Sequence, residues 1–458
     1  MPTTLTATAA PPPASAISSA TGTFPPSPLR PDSALPFETI SVVGLGYIGL
    51  PTAAVFAARR LKVTGVDVNA CAVAAINRSE IHIIEPDLDI VVRAVVTEGW
   101  LRATAAPEPA DAFLIAVPTP FQANGKGREP DLSYVAAAAR SIAPVLKPGD
   151  LVVLESTSPV GTTAQMAGWL AELRPDLSFP QDAGEASDIR VAHCPERVLP
   201  GRVLQELVRN DRVIGGMTPR CSARAAELYR LVVQGECIVT TPETAEMAKL
   251  VENSFRDVNI AFANELSMIC AELGIDVWEL IALANRHPRV DILRPGPGVG
   301  GHCIAVDPWF IVSRSPETAK LIRAARERND AKPAWVIDRV RQAVADYLAR
   351  HPVRHPSDVT LACWGLAFKP DIDDLRESPA LDIARELCDR HPGPLVVVEP
   401  HVETLPPSLA RAERADPETA LARADLHVLL VCHSAFRAAM ARLGPEHAVV
   451  DAVGLTAP

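Results

Sequence analysis

Three stretches of the chain hold residues whose types and spacing could do chemistry. The first is Gly44-x-Gly46-x-x-Gly49, with Asp67 standing 23 residues after Gly44. Glycines at such positions permit a tight turn and let the backbone approach a pyrophosphate at a helix N-terminus. A carboxylate at the place of Asp67 accepts hydrogen bonds from adenosine ribose hydroxyls and repels a 2′-phosphate. No arginine follows it, so the pattern favours NAD over NADP. The second stretch is Gly298-Val299-Gly300-Gly301-His302-Cys303-Ile304-Ala305-Val306-Asp307. A thiol beside a glycine-rich turn can face a ligand, and neighbouring positive charge lowers its pKa from about 8.5. Asp307, four residues on, could sit on the same side and handle protons. A lone cysteine in a loop is more often a small buried hydrophobe. Adjacent His-Cys is not metal-ligand spacing, so no metal is expected and His302 reads as structural or substrate-side.

The third stretch is Lys249, Asn253 and Arg256, spaced by four and three within a helical pattern and therefore on one face. Such stripes are usually solvated surface. Here the other faces carry Leu250, Val251, Phe255, Phe262 and Leu266, so the helix is expected to be mostly buried. Buried cations need an anion, and a phosphorylated substrate would serve.

The elements that must position these residues follow from the apolar runs. Ile40–Val43, the glycine turn, a helix over 50–60 and a strand at Lys62–Val66 form one strand-turn-helix-strand unit. Ala112–Val117 and Leu151–Leu154 continue an α/β rhythm, predicting a parallel sheet. In an open parallel sheet, loops at strand C-termini line the ligand crevice. Val117-Pro118-Thr119-Pro120, Glu155-Ser156-Thr157-Ser158-Pro159 and Pro195-Glu196-Arg197 each follow a strand in that way. From Pro242 an uninterrupted helical pattern runs to Leu273, with Gly274 as its stop. At 1.5 Å per residue it is roughly 48 Å long, a length that suits a domain bridge or a subunit interface. A helix over Val277–Asn285 and a polar one over Asp330–Arg350 flank the cysteine loop. The rhythm then restarts with strands at Val359–Trp364, Leu395–Glu399, Leu426–Val431 and Ala448–Val453, and a helix at Pro379–Arg390. Phe368-Lys369-Pro370 and Arg376-Glu377-Ser378 follow the first of these strands. The expected fold is α/β: two Rossmann-like doubly wound units over 37–240 and 351–458, joined by a helical centre over 241–350. The two α/β halves look only loosely alike as sequences.

Composition bounds the rest. The 458 residues suggest about three domains, and 48% apolar with 22% charged residues is ordinary for a globular chain. The formal charge of −11 makes the chain a poor general binder of nucleic acid or anionic membrane, so an anionic ligand needs a local basic cluster. Nine scattered cysteines without a C-x-x-C pair speak for reduced thiols in the cytoplasm. Residues 1–36, rich in Pro, Ala, Ser and Thr, read as a disordered tail without signal-peptide character, and no run of 18 apolar residues predicts a membrane span.

The longer motifs resemble one family. GLGYIGLPTAA, INRSEIHIIEPDLD, IAVPTPF, LESTSPVGTT, CPERVLPG, NDRVIGGMT, ENSFRDVNIAFANELS, LANRHPRVDIL, PGPGVGGHCIAVDPWFIV and GLAFKPDIDDLRESPA are similar to the UDP-glucose/GDP-mannose dehydrogenase family over nearly everything from Phe37 onward. The resemblance implies oxidation of a sugar C6 alcohol to a carboxylate at the expense of two NAD, through a cysteine thiohemiacetal and thioester. It implies Cys303 as nucleophile and Lys249 as acid/base and oxyanion partner. Asn253 would support that oxyanion, Asp307 and Glu196 would move protons, and Thr157 would hold the attacking water. Gly44, Gly46, Tyr47, Ile48, Gly49, Asp67, Thr119, Thr157 and Arg376 would hold NAD. Arg197, Val198, Lys249, Asn253, Arg256, His287, Arg289, Gly301 and Lys369 would hold the UDP-sugar. Arg289 would reach a neighbouring subunit's site, making a homodimer part of the machinery.

One departure bears on the substrate. Where UDP-glucose dehydrogenases show N-P-E-F-L-A-E-G, this chain reads Cys194-Pro195-Glu196-Arg197-Val198-Leu199-Pro200-Gly201. The second glutamate is a proline, which argues against plain UDP-glucose and against a two-glutamate activation of water. The same loop and His287-Pro288-Arg289 match the N-acetylmannosamine branch. The rivals are the same chemistry on UDP-N-acetylglucosamine, a two-electron β-hydroxyacid dehydrogenase, and a silent NAD-binding protein.

Overall fold

The computed structural model describes residues 36–83, 85–122, 128–199, 201–301, 303–444 and 447–456. The expected tail, up to residue 35, lies outside them, as do Pro200 and His302.

Short buried apolar runs become strands because both faces of a parallel sheet are covered by helices. The first sheet comprises β1 (Thr39–Val43), β2 (Lys62–Val66), β3 (Leu101–Thr104), β4 (Ala112–Ile115), β5 (Leu151–Leu154), β6 (Arg190–His193), β7 (Arg212–Gly216) and β8 (Cys237–Thr240). Its order is β3-β2-β1-β4-β5-β6-β7-β8. The first six strands follow the doubly wound dinucleotide order. All pairs are parallel except β6 with β7. That reversal departs from the all-parallel sheet expected. The order turns round between β1 and β4, whose ends Val43 and Ile115 are in register, so the loops after these two strands frame one crevice.

The second sheet holds β9 (Leu361–Trp364), β10 (Leu395–Val398), β11 (Glu413–Arg414), β12 (Leu426–Leu429) and β13 (Ala448–Asp451), in the order β11-β10-β9-β12-β13, all parallel. Its first turn copies that of the first sheet more closely than the sequences suggest. Gly44 (φ 92°) donates to the Val66 carbonyl, and Gly365 (φ 91°) donates to the Val398 carbonyl. The next residues, Leu45 and Leu366, each give their N–H to the acid ending the second strand, Asp67 at 2.8 Å and Glu399 at 2.7 Å.

Between the sheets runs the central helix, Pro242–Leu273. The Thr241 hydroxyl caps it by accepting from the Thr244 N–H, Pro242 and Glu243 occupy its first turn, and Gly274 ends it in the left-handed region at φ 69°. A second long helix, Lys320–Arg350, starts ten residues before the stretch the sequence marked out and carries Pro333 within it. The chain between these helices holds the helix Val277–Ala284, the cysteine loop and the helix Asp307–Arg314. One expectation fails here. The central helix is not buried all round: Arg256 is exposed, and so are Val251, Phe255 and Phe262.

Candidate active site

The crevice after β1 is shaped by two glycines and left open by a third. A Cβ on Gly49 would stand 1.7 Å from the Gly44 carbonyl oxygen, and one on Gly44 2.5 Å from that of Ala116. A Cβ on Gly46 would meet nothing within 4 Å, so this is where a ligand can lie against the backbone. The helix that follows, Gly49–Ala57, has no side-chain cap on its first turn, which leaves its dipole end to an anion. Asp67 holds the turn through the N–H groups of Leu45 and Asn69, and its half-buried carboxylate keeps lone pairs for ribose hydroxyls. These residues fit a dinucleotide with a free 2′-hydroxyl. Across the crevice the Thr119 hydroxyl donates to the Thr157 carbonyl (2.7 Å) and ties the loops after β4 and β5 together. Glu246 of the central helix fastens the second of these loops by accepting from Gly161 N–H, Thr163 N–H and the Thr163 hydroxyl.

The cysteine loop is pressed between the central helix and the second sheet unit. A Cβ on Gly300 would lie 2.4 Å from the Glu377 carbonyl oxygen, and Gly301 (φ 80°) faces the Phe368 ring. Glycine is needed there because another backbone comes that close. The Cys303 carbonyl accepts from Val306 and Asp307 N–H, a turn that brings thiol and carboxyl to the same side. Asn253 donates to Asp307 Oδ2 at 2.5 Å. Asp307 is buried, and burial pushes its carboxyl up to about 6 against the pull of Lys249 and the Asn253 hydrogen bond. Burial raises the Cys303 thiol as well, with the Asp307 charge adding to it, while Lys249 and Arg376 draw it down. Cys303 nevertheless presents open surface to solvent, so its crowded surroundings desolvate the thiolate without sealing it off. Arg376, steered by Asp374 at 2.5 Å, lays its guanidinium 4.9 Å from the Tyr47 ring centroid. That contact joins the second sheet unit to the dinucleotide turn. Cys303, Lys249, Asn253, Asp307, Arg376 and Tyr47 thus converge.

Other expected residues stand apart from this cluster. Glu196 is buried, with Arg212 on one oxygen at 2.5 Å and the Arg197 N–H on the other at 2.7 Å, so any proton role works through that pair. Arg197 pairs with Glu252 of the central helix at 2.6 Å, and Val198 is half-buried beside it. Among the described residues, no hydrogen bond or ion pair ties Arg256, His287, Arg289 or Lys369 to Cys303, Lys249, Asn253 or Asp307; all four are exposed. Arg212 was missed by sequence reading, although it lies in NDRVIGG. Glu155, placed by sequence in a crevice loop but given no role there, is buried, holds the Tyr229 hydroxyl at 2.6 Å and is raised by burial to about 7. A charged residue opening or closing an apolar strand was the available signal. Ligand atoms of Asp371, His401 and His433 lie within 4.8 Å of one another. His433 already accepts from the Asp371 N–H and faces Glu399, which ties loops of the second sheet together.

Two nucleotide-type α/β units facing a shared helical centre define a dehydrogenase that holds a second nucleotide beside its nicotinamide cofactor. Family models for the UDP-glucose/GDP-mannose dehydrogenase family match in chain order: the NAD binding domain over residues 38–233, the central domain over 243–331 and the UDP binding domain over 362–458. The chain belongs to that family and is an NAD-dependent nucleotide-sugar dehydrogenase. It is 65% identical over 420 residues to a UDP-N-acetyl-D-mannosamine dehydrogenase of Yersinia pestis, covering 92% of this chain and 99% of that protein. An NDP-N-acetyl-D-galactosaminuronic acid dehydrogenase of Ralstonia solanacearum is 63% identical over 419 residues, with 92% and 96% covered. The solved UDP-D-ManNAc dehydrogenase of Pyrococcus horikoshii is similar with a TM-score of 0.79 at 38% identity, covering 91% of this chain and 96% of that one. No helix among the described residues is long and apolar enough to cross a membrane.

Proposed function

We propose that this enzyme oxidises C6 of UDP-N-acetyl-D-mannosamine to the carboxylate in two two-electron steps on Cys303, in the cytoplasm, for surface polysaccharide of the enterobacterial common antigen type. The convergence of Cys303 with Lys249, Asn253 and Asp307 carries this reading. A dehydrogenase that stopped at the aldehyde would have no use for the thiol. We read residues 37–240 as the NAD-binding unit, 241–350 as the central unit and 351–458 as the unit that holds UDP, with Lys369 toward the sugar.

NAD, bound on the Gly44–Gly49 turn, supplies the hydride acceptor. Asp307 is ionised at pH 7 and accepts the alcohol proton relayed by Lys249. Cys303 then adds its thiolate to the aldehyde carbon, and the Lys249 ammonium and Asn253 amide hold the resulting oxyanion. Loss of the second hydride from that carbon leaves a thioester. Water held by Thr157 adds to it, the C–S bond breaks, and Cys303 leaves as the thiol while the uronate departs. Glu196, held by Arg212, assists the proton transfers of this step.

The exposed apolar stripe on the central helix supports a homodimer. Val251, Phe255, Phe262, Ile269 and Leu273 are exposed at steps of four, seven, seven and four, a period that keeps one seam toward a partner helix. A second copy would cover it and bring in Arg289.

The test counts NADH released per sugar at completion. Two per sugar with the parent, and a stall with Cys303→Ser, are expected. One per sugar, or full oxidation by Cys303→Ala, would overturn the thioester route. Relatives of near-equal identity carry different sugar names, so UDP-N-acetyl-mannosamine, -glucosamine and -galactosamine should be compared; preference for either of the latter two overturns the assignment of the sugar.

A further inference from the structure

The central helix grips the cysteine loop at both ends. At one end Asn253 donates to Asp307; at the other, the Asn264 Oδ1 accepts from the Gly296 N–H at 2.8 Å. The two asparagines are eleven residues apart, just over three helical turns. They therefore share a face and stand about 16 Å apart along the axis. Cys303 lies on the stretch of chain between these two anchors. Asn264 is itself wholly buried, and its amide donates to Asn329 Oδ1 at 2.9 Å. Asn329 donates to Asp257 Oδ1 at 2.8 Å, and Asp257 accepts from Arg326 at 2.5 Å. Arg326 also holds Asp330, which pairs with Arg128 of the first unit at 2.6 Å. The chain of bonds is continuous from a loop of the dinucleotide unit to the cysteine loop.

We propose that Asn264 is a positioning residue for the reaction: by fixing Gly296 it sets where the Cys303 thiol stands relative to Lys249 and Asp307. This rests on Cys303 being the nucleophile. Without the Asn264 carbonyl the Gly296 N–H loses its partner, and of these two hydrogen-bond anchors the loop keeps the one at Asp307, where Val306 and Phe310 also pack against Leu250. Lysine and thiol then no longer share one rigid ruler, and a misplacement of about 1 Å costs on the order of 100-fold in rate.

Two variants separate positioning from folding. Asn264→Ala removes both bonds. Asn264→Asp keeps the acceptor for Gly296 and, protonated in this buried site, gives its hydroxyl to Asn329 Oδ1 in place of the amide. Turnover is measured with UDP-N-acetyl-D-mannosamine. Loop position is read from iodoacetamide labelling of Cys303 relative to Cys71, the other exposed cysteine among the described residues. For Asn264→Ala the expected result is kcat at least tenfold lower, KM within threefold, and the Cys303:Cys71 labelling ratio changed at least threefold. Asn264→Asp should return both readouts to within threefold of the parent. Parental kcat and ratio in Asn264→Ala would overturn the proposal, as would equal loss in both variants. Full oxidation by Cys303→Ala would instead overturn the nucleophile reading, and the labelling ratio would still report the loop.

Discussion

Replacing Asp307 by Asn should make the protein more stable at alkaline pH and at the same time nearly inactive. The Asp307 carboxyl is buried and pushed up to about 6 from an ordinary 3.8. At about 1.36 kcal/mol for each pH unit of that rise, the folded protein favours the neutral form by about 3 kcal/mol. A raised carboxyl supports folding fully below its unfolded value, near 4, and that support is lost as the pH climbs through about 6. At pH 8 the ionised group therefore costs the fold about 3 kcal/mol, and at pH 5 about half as much. Asparagine is neutral throughout and still offers an oxygen to the Asn253 amide. Melting curves should place Asp307→Asn above the parent by about 3–4 °C at pH 8, with a gap that narrows toward pH 5. Turnover should fall by about 100-fold or more, because the proton acceptor is gone. A variant no more stable than the parent at pH 8, or a gap that ignores pH, would show that the carboxyl is not desolvated as the geometry requires. Undiminished turnover would remove Asp307 from the proton path.

Four further outcomes test other parts of the protein. Gly49→Ala should lose NAD binding together with several degrees of melting temperature, because its Cβ falls on the Gly44 carbonyl. Gly46→Ala should melt like the parent and lose only NAD affinity, as calorimetry would show. Arg212→Met strips the partner from buried Glu196 and should destabilise the chain by about 3–5 kcal/mol in urea titrations; an unchanged midpoint would mean the pair is dispensable. Phe255→Glu with Phe262→Glu puts charge on the exposed seam of the central helix and should sediment as a monomer where the parent sediments as a dimer; identical sedimentation would reject that interface.

Local pattern was enough for much of this protein. The glycine turn with Asp67 follows from which backbone conformations a pyrophosphate site needs. The central helix was bounded at both ends by Thr241-Pro242 and Gly274, because capping is a matter of neighbouring residues. The Cys303–Asp307 pairing was legible for the same reason, since four residues make one turn. Long motifs carried the family, and with it the UDP-holding role of the last unit. What the sequence left open concerns groups distant along the chain. That Glu196 is held by Arg212, that Glu246 and Asn264 hold loops far from them in sequence, and that Arg376 reaches Tyr47 all depend on the docking of separate elements. The exposure of Phe255 and Phe262 was misjudged for a related reason. A helical repeat shows which residues share a face, but only the tertiary structure decides what, if anything, packs against it. Hydrogen bonds and ion pairs across such interfaces depend on distances that no local period encodes, and those distances turn a set of plausible residues into a site.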